Sequence, residues 1–179
     1  ALVAGLFYGS VNVDTILGSL RRTAVLSGMI FMVMAAAACT AWIGSLEQVP
    51  RRIADAAINA GLSGTQFLLL VNLVFLAAGM IMDVPMALFL LVPLFGPALV
   101  AQGFHPIHLG VVLCFNLTLG MVTPPFGGVL IVTSSVSGED YWKLATATLP
   151  FVFIELILLL MIILIPELSL ALPRVLGYV

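Results

Sequence analysis

Between Asp55 and Glu139 the chain carries a single charged residue, Asp83. It lies in Gly79-Met80-Ile81-Met82-Asp83-Val84-Pro85, a short polar break in an otherwise apolar run. An ionisable group at such a position is costly, so it is a functional candidate by default. Asp is also a favoured N-cap, and Pro85 follows at an early helical position. Capping the next helix and lying beside a bound ion are compatible roles for Asp83.

A second break is Asn116-Leu117-Thr118-Leu119-Gly120-Met121-Val122-Thr123-Pro124-Pro125-Phe126-Gly127-Gly128. Two successive prolines cannot sit inside a continuous helix. Pro125 supplies no N–H, and its ring excludes the carbonyl four residues earlier. The residues before each proline are pushed out of the α region. The spacing therefore predicts that the carbonyls of Leu119 to Thr123 lose their helical partners. Free carbonyls with the Thr123 hydroxyl form an oxygen cage suited to a small hard cation. A helix restarting near Phe126 would aim its positive end at the same place, which suits a carboxylate. A kink serving packing alone is the competing reading.

These breaks need elements to hold them. Hydrophobic residues make up 63% of the 179 and charged residues 8%, with a net charge of −2. A soluble domain carries about 25% charged residues. The composition excludes a soluble enzyme, a disordered chain and a nucleic-acid binder, which needs a basic face. An all-α integral membrane protein remains, because barrel strands would alternate polar and apolar residues.

Charge spacing divides the chain into three parts. Residues 1–64 read as the end of one span (Ala1–Tyr8), an interfacial amphipathic helix (Ser10–Arg22), a full span (Thr23–Leu46) with Trp42 near its end, and a second amphipathic helix within Glu47–Gly64. The start inside an apolar stretch, with no initiator Met or basic leader, reads as a piece of a longer polypeptide. Residues 65–138 hold the breaks. As one helix, Val84–Gly138 alone would run roughly 80 Å against a hydrocarbon core of ~30 Å. It divides with the preceding run into Gln66–Ala78, Met86–Val100, Ile107–Met121 and Phe126–Ser137. The first two make a re-entrant hairpin over 66–100 with its tip at Gly79–Pro85, and the last two one broken span over 107–137. Short half-helices interrupted by Gly and Pro are the best sequence pointer to a transporter's binding site. Residues 139–179 hold an interfacial cluster, Glu139 to Lys143, and a last span over 149–165 ended by Pro166, Glu167 and Pro173. Basic residues fall three on each side, so charge does not set the orientation.

Gly79–Pro85, Gly120–Gly127 and the tail Ile165-Pro166-Glu167-Leu168-Ser169-Leu170-Ala171-Leu172-Pro173 resemble the DctM-like large membrane subunit of tripartite ATP-independent periplasmic (TRAP) transporters. The likeness includes the Glu47–Pro50 turn and Gly103–His108, and it covers only the C-terminal inverted repeat of that subunit. It implies one half of an inverted-repeat elevator transporter in the bacterial inner membrane, importing organic acids such as dicarboxylates or sialic-acid-like sugar acids with sodium. It further implies four partners: the N-terminal repeat of the same permease, a small membrane subunit, a periplasmic binding protein and the bilayer. By the same resemblance, one sodium site comprises Gly79, Gly120, Thr123 and the backbone of Phe126. Substrate would lie by the tips, near Asp83, Thr123, Pro124, Pro125 and Gly127. The family often has Asn where Val129 stands here, which bears on substrate choice. Beyond sodium as coupling ion, no cofactor or transition metal is expected, and no enzyme activity.

Among the other polar residues, Glu155 reads as a carboxylate near the interface or bonded within the bundle. His105 and His108 read as loop residues, and Asn72 and Asn116 as able to hydrogen-bond across helices. Cys39 and Cys114 read as small buried residues without disulfide or metal spacing. The rival functions are another ion-coupled carrier of dicarboxylates or oxyanions, a structural membrane subunit with unbroken helices through both motifs, and an intramembrane enzyme. The last lacks a partner for Asp83.

Overall fold

The computed structural model describes residues 13–178, and among them every regular element is helical. There are eight such helices: α1 (Val13–Leu46), α2 (Val49–Asn59), α3 (Gly64–Ile81), α4 (Val84–Ala101), α5 (Pro106–Met121), α6 (Gly128–Ser137), α7 (Tyr141–Leu164) and α8 (Glu167–Val175). Four contain stretches long and apolar enough to cross a membrane: Ile16–Leu46, Gly64–Ile81, Val84–Ala101 and Tyr141–Leu164. The chain is a multi-span helical membrane protein. The expected span tail, Ala1–Tyr8, lies outside the described residues.

Several boundaries differ from expectation. The sequence predicts two elements, Ser10–Arg22 and Thr23–Leu46, yet one helix runs from Val13 to Leu46. Nothing between them breaks a helix: the stretch contains no proline, and Arg21 and Arg22 are good helix formers. Residues up to Cys39 form a unit of their own, and Thr40–Val179 forms the other. The last span begins at Tyr141 rather than near Pro150, because α7 carries Pro150 inside it. Its start is fixed by Asp140, whose carboxylate accepts the Trp142 and Lys143 amides at 2.9 and 3.1 Å. Glu155 lies half-buried on this helix. The span ends at Leu164, just before Pro166 as expected, and a further short helix, α8, then starts at Glu167 with Pro166 as its N-cap and carries Pro173 inside it.

In the second unit, α3 to α5 form the core. Ser63 opens α3 with a full capping box, its hydroxyl taking the Gln66 amide and the Gln66 side chain taking the Ser63 amide. Met82 and Asp83, both extended, turn the chain into α4, which returns beside α3. The loop after Ala101 then sends α5 parallel to α3, its closest neighbour. Phe67, Leu68, Val71 and Phe75 of α3 pack with Leu99 of α4 and Val112, Leu113 and Leu117 of α5. Helix α2 lies along α4 with Ala54 and Ala57 buried. Large side chains along α7, including Phe151, Phe153 and Ile154, point outward, as a lipid-facing helix requires.

Cys39 and Cys114 are exposed and free, contrary to the expectation of burial. His108 is not in a loop but buried in the first turn of α5. Its Nδ1 meets the Ser169 hydroxyl at 2.7 Å and so ties α8 to α5. His105 does cap: its ring accepts the Ile107 amide at 3.3 Å.

Candidate functional site

The site is built where α3 and α5 come closest. A Cβ added to Gly79 would lie 2.8 Å from the Leu117 carbonyl oxygen, and one on Gly120 would lie 2.7 Å from both Cα and carbonyl carbon of Gly79. These are backbone contacts, which no side-chain rotation relieves. Glycine at both positions is what permits the two helices to touch. Two turns lower on α3, the buried Asn116 amide donates to the Asn72 backbone carbonyl (2.6 Å) and side-chain oxygen (2.7 Å), while Asn72 donates to Leu68 O at 2.9 Å. The expected cross-helix asparagine bonding is present, and it fixes the register of α3 against α5.

Helix α5 stops at Met121, and α6 starts at Gly128 rather than near Phe126. Gly127 sits at the N-cap in the left-handed region, φ +49°, which explains the glycine there. Its amide donates to the Met80 carbonyl at 3.3 Å, so the unwound segment 122–127 is joined to the end of α3. The Pro124–Pro125 bond is cis.

The carbonyl accounting departs from the expectation in part. Leu119 O accepts from Val122 N (3.2 Å) and from the Thr123 hydroxyl (2.7 Å), and Gly120 O accepts from Thr123 N (3.0 Å). These two are therefore not free. Among the described contacts, the carbonyls of Met121, Val122 and Thr123 receive no hydrogen bond. Those of Met121 and Thr123 converge, each 3.1 Å from the point a Gly127 Cβ would occupy. Thr123 spends its only hydroxyl proton on Leu119, which leaves its oxygen lone pairs available to a cation.

Phe126 is held through its backbone. Its carbonyl accepts from the Tyr141 hydroxyl at 3.1 Å, and that hydroxyl also bonds the Pro125 carbonyl at 2.7 Å. Tyr141 opens α7 and thereby tethers the unwound loop. Sequence reading places it only in the interfacial cluster, since nothing in its spacing signals a tether to residues so far upstream. The Phe126 ring is exposed.

Asp83 occupies the N-cap position of α4 but makes no side-chain capping bond, so the capping role expected of it is not seen. Its Oδ1 is instead 3.9 Å from where a Gly128 Cβ would stand, at the start of α6. The structure thus gathers Gly79, Gly120, Thr123, Gly127 and Asp83 around one junction. Pro124 is half-buried and Pro125 exposed on the loop itself. No group of three or more His, Cys, Asp or Glu side chains suited to a metal exists among the described residues. Two carbonyls directed at one point and a hydroxyl on the same segment are oxygen donors of the kind a hard cation takes, and the N-terminus of α6 beside them favours an anion.

Comparisons with known proteins identify the family. The family model for the tripartite ATP-independent periplasmic transporter, DctM component, matches residues 1–168. The C4-dicarboxylate TRAP transporter large permease protein DctM of Pseudomonas aeruginosa is 37% identical over 177 residues, 99% of this chain and 42% of that protein. The protein of the same name in Vibrio cholerae is 34% identical over 148 residues, 83% of this chain and 33% of that one. The sialic acid TRAP transporter large permease protein SiaM of Vibrio cholerae is 31% identical over 172 residues, 96% of this chain and 40% of that one. The chain thus spans about two fifths or less of the length of these relatives. With its two interrupted helical elements and a family match over nearly its whole length, the chain belongs to the DctM component family of tripartite ATP-independent periplasmic transporters.

Proposed function

We propose that this chain supplies half of the transport site of a sodium-coupled permease that imports organic acids across the bacterial inner membrane. Its α3–α4 hairpin enters the membrane and returns, and its α5–α6 pair forms one broken span. The rest of the permease supplies the opposing repeat. A small membrane subunit and a periplasmic binding protein complete the system. Two of the relatives are named for C4-dicarboxylates and sialic acid, both carboxylates, which is why an anionic substrate is the natural cargo.

One observation carries the proposal. The hairpin tip and the unwound loop meet through the Gly127–Met80 bond, and beside that bond three carbonyls stand unpaired. Unpaired backbone at membrane depth is tolerated only where protein or a watery cavity surrounds it. A sodium ion held by the carbonyls of Met121 and Thr123 and the Thr123 hydroxyl satisfies two of the three. The substrate carboxylate then lies at the N-terminus of α6. Asp83 stands next to that place, so an anion arriving without a cation meets a like charge. At ~5 Å and an effective dielectric of ~20 that repulsion is about 3 kcal/mol, enough to make anion binding depend on the cation. Coupling follows because sodium and substrate favour the same arrangement of tip and loop. No bond is made or broken in this scheme, so it includes no enzyme activity.

The rival structural subunit calls for helices running unbroken through both motifs, and the interruptions at 82–83 and 122–127 go against it. The test is sodium-driven uptake of radiolabelled succinate and sialic acid into proteoliposomes holding the full-length permease, its small subunit and binding protein. Thr123→Ala is expected to raise the sodium concentration needed for half-maximal uptake at least tenfold, and Thr123→Ser to restore it. An unchanged sodium response in Thr123→Ala would remove the cation from this junction.

A further inference from the structure

Residues 124–126 of the unwound loop have little polar hold on the rest of the protein. Pro124 and Pro125 have no N–H to donate. Among the described contacts, the Phe126 amide donates to nothing and the Pro124 carbonyl accepts nothing. The Tyr141 hydroxyl is the one described group that bonds any atom of these three residues. It reaches the Pro125 carbonyl at 2.7 Å and the Phe126 carbonyl at 3.1 Å.

The bond to Phe126 acts on a rigid unit. The described cis bond is Pro124–Pro125, so the Phe126–Gly127 peptide is trans, with its C=O and N–H on opposite sides of one plane. The C=O accepts from Tyr141 of α7, and the N–H donates to the Met80 carbonyl at the end of α3, 3.3 Å away. One peptide plane is thus clamped between two helices. The next atom along the chain is the Gly127 Cα. The Met121 and Thr123 carbonyl oxygens each lie 3.1 Å from the point where a Cβ on it would stand. A glycine at φ +49° resists rotation of the plane only weakly, so the resistance comes from the clamp.

Tyr141 is itself firmly seated. Asp140 caps the start of α7 through the Trp142 and Lys143 amides, and the Tyr141 and Trp142 rings meet edge to face at 5.3 Å. The Ser134 hydroxyl of α6 donates to the Glu139 carbonyl at 2.8 Å, which fixes the start of α7 to α6. A side chain locked by its own surroundings in this way holds a neighbouring site to its working geometry.

We infer that Tyr141 is a positioning residue for cation binding. Its hydroxyl holds the Phe126–Gly127 peptide in the orientation that keeps Gly127 against the Met121 and Thr123 carbonyls. The inference rests on the proposal above that sodium binds at those carbonyls. Without the clamp the loop populates other orientations, and the ion binds only the fraction that is correctly set, so its apparent affinity falls by that fraction. The loss of one neutral hydrogen bond corresponds to roughly a fivefold change.

The test titrates sodium against uptake of radiolabelled succinate and sialic acid in proteoliposomes holding the full-length permease, its small subunit and binding protein. Sodium-dependent thermal stabilisation of the purified permease reads the same affinity without transport. Tyr141→Phe keeps the ring and removes the donor. Para-aminophenylalanine, placed at the same position by codon suppression, keeps the ring and supplies an N–H donor instead. Tyr141→Phe is expected to raise the half-saturating sodium concentration about fivefold, with the maximal rate changed by less than about twofold. Para-aminophenylalanine is expected to return the sodium concentration to within about twofold of native. A ring that served packing alone would not respond to the presence of a donor. An unchanged half-saturating concentration in Tyr141→Phe would overturn the inference. So would a loss confined to the maximal rate, or one that para-aminophenylalanine does not repair. Thr123→Ala is measured alongside. A sodium response altered there but native in Tyr141→Phe removes Tyr141 alone, and a native response in both removes the ion from the loop as well.

Discussion

Gly120→Ala tests the geometry on which the site depends. The added Cβ would stand 2.7 Å from Cα and C of Gly79 and 3.0 Å from Leu76 O. An unstrained carbon contact is about 3.5 Å or longer, so α3 and α5 must part by nearly 1 Å at this level. Overpacking of this kind costs about 1–3 kcal/mol. The Gly127–Met80 bond, already 3.3 Å, would be stretched beyond hydrogen-bonding distance if the loop follows α5. Lost stability and a loosened cation site should therefore appear together. The assay pairs thermal unfolding of the purified full-length permease with sodium-driven uptake. Gly79→Ala makes the same clash from the other side, 2.8 Å from Leu117 O, so the double variant should cost clearly less than the sum of the singles. If Gly120→Ala keeps both the native melting temperature and the native sodium response, the two helices are not in contact here and the reasoning fails.

Other consequences are smaller and separable. Tyr141→Phe removes the hydroxyl shared by the Pro125 and Phe126 carbonyls and should cost about 1 kcal/mol, with faster hydrogen exchange confined to the loop amides. Asp83→Asn should leave stability within about 0.5 kcal/mol, because no capping bond is lost. In uptake assays the same variant should weaken the dependence of substrate affinity on sodium. Asn116→Leu leaves the Asn72 oxygens without their donor and should destabilise the permease by about 1–3 kcal/mol in denaturant or thermal unfolding.

The fold is legible wherever single residues dominate the physics. Asp83 and Pro85 mark the hairpin turn, and two adjacent prolines mark the end of α5, because no packing restores a missing N–H. Boundaries are less legible. Thr23 looks like the start of a span because charges precede it, but charge at an interface does not interrupt a helix, and α1 runs through. Pro150 looks like a beginning, yet a single proline is tolerated inside α7. The site is legible as a set of positions more than as a set of contacts. Gly79 and Gly120 are singled out by resemblance, and the structure shows them as the point where two backbones touch. The Tyr141 tether, the His108–Ser169 link and the Asp83 carboxylate turned toward α6 join residues distant in sequence, and no local period encodes such pairs.

The most direct test of the central claim is the effect of sodium on the thermal stability of the purified full-length permease, with potassium at equal ionic strength as control. A ligand at 100 times its dissociation constant stabilises by about 2.7 kcal/mol. The account predicts a sodium-specific rise in melting temperature that Thr123→Ala largely removes and Thr123→Ser retains. An equal rise in native and Thr123→Ala proteins would place the ion elsewhere and contradict it.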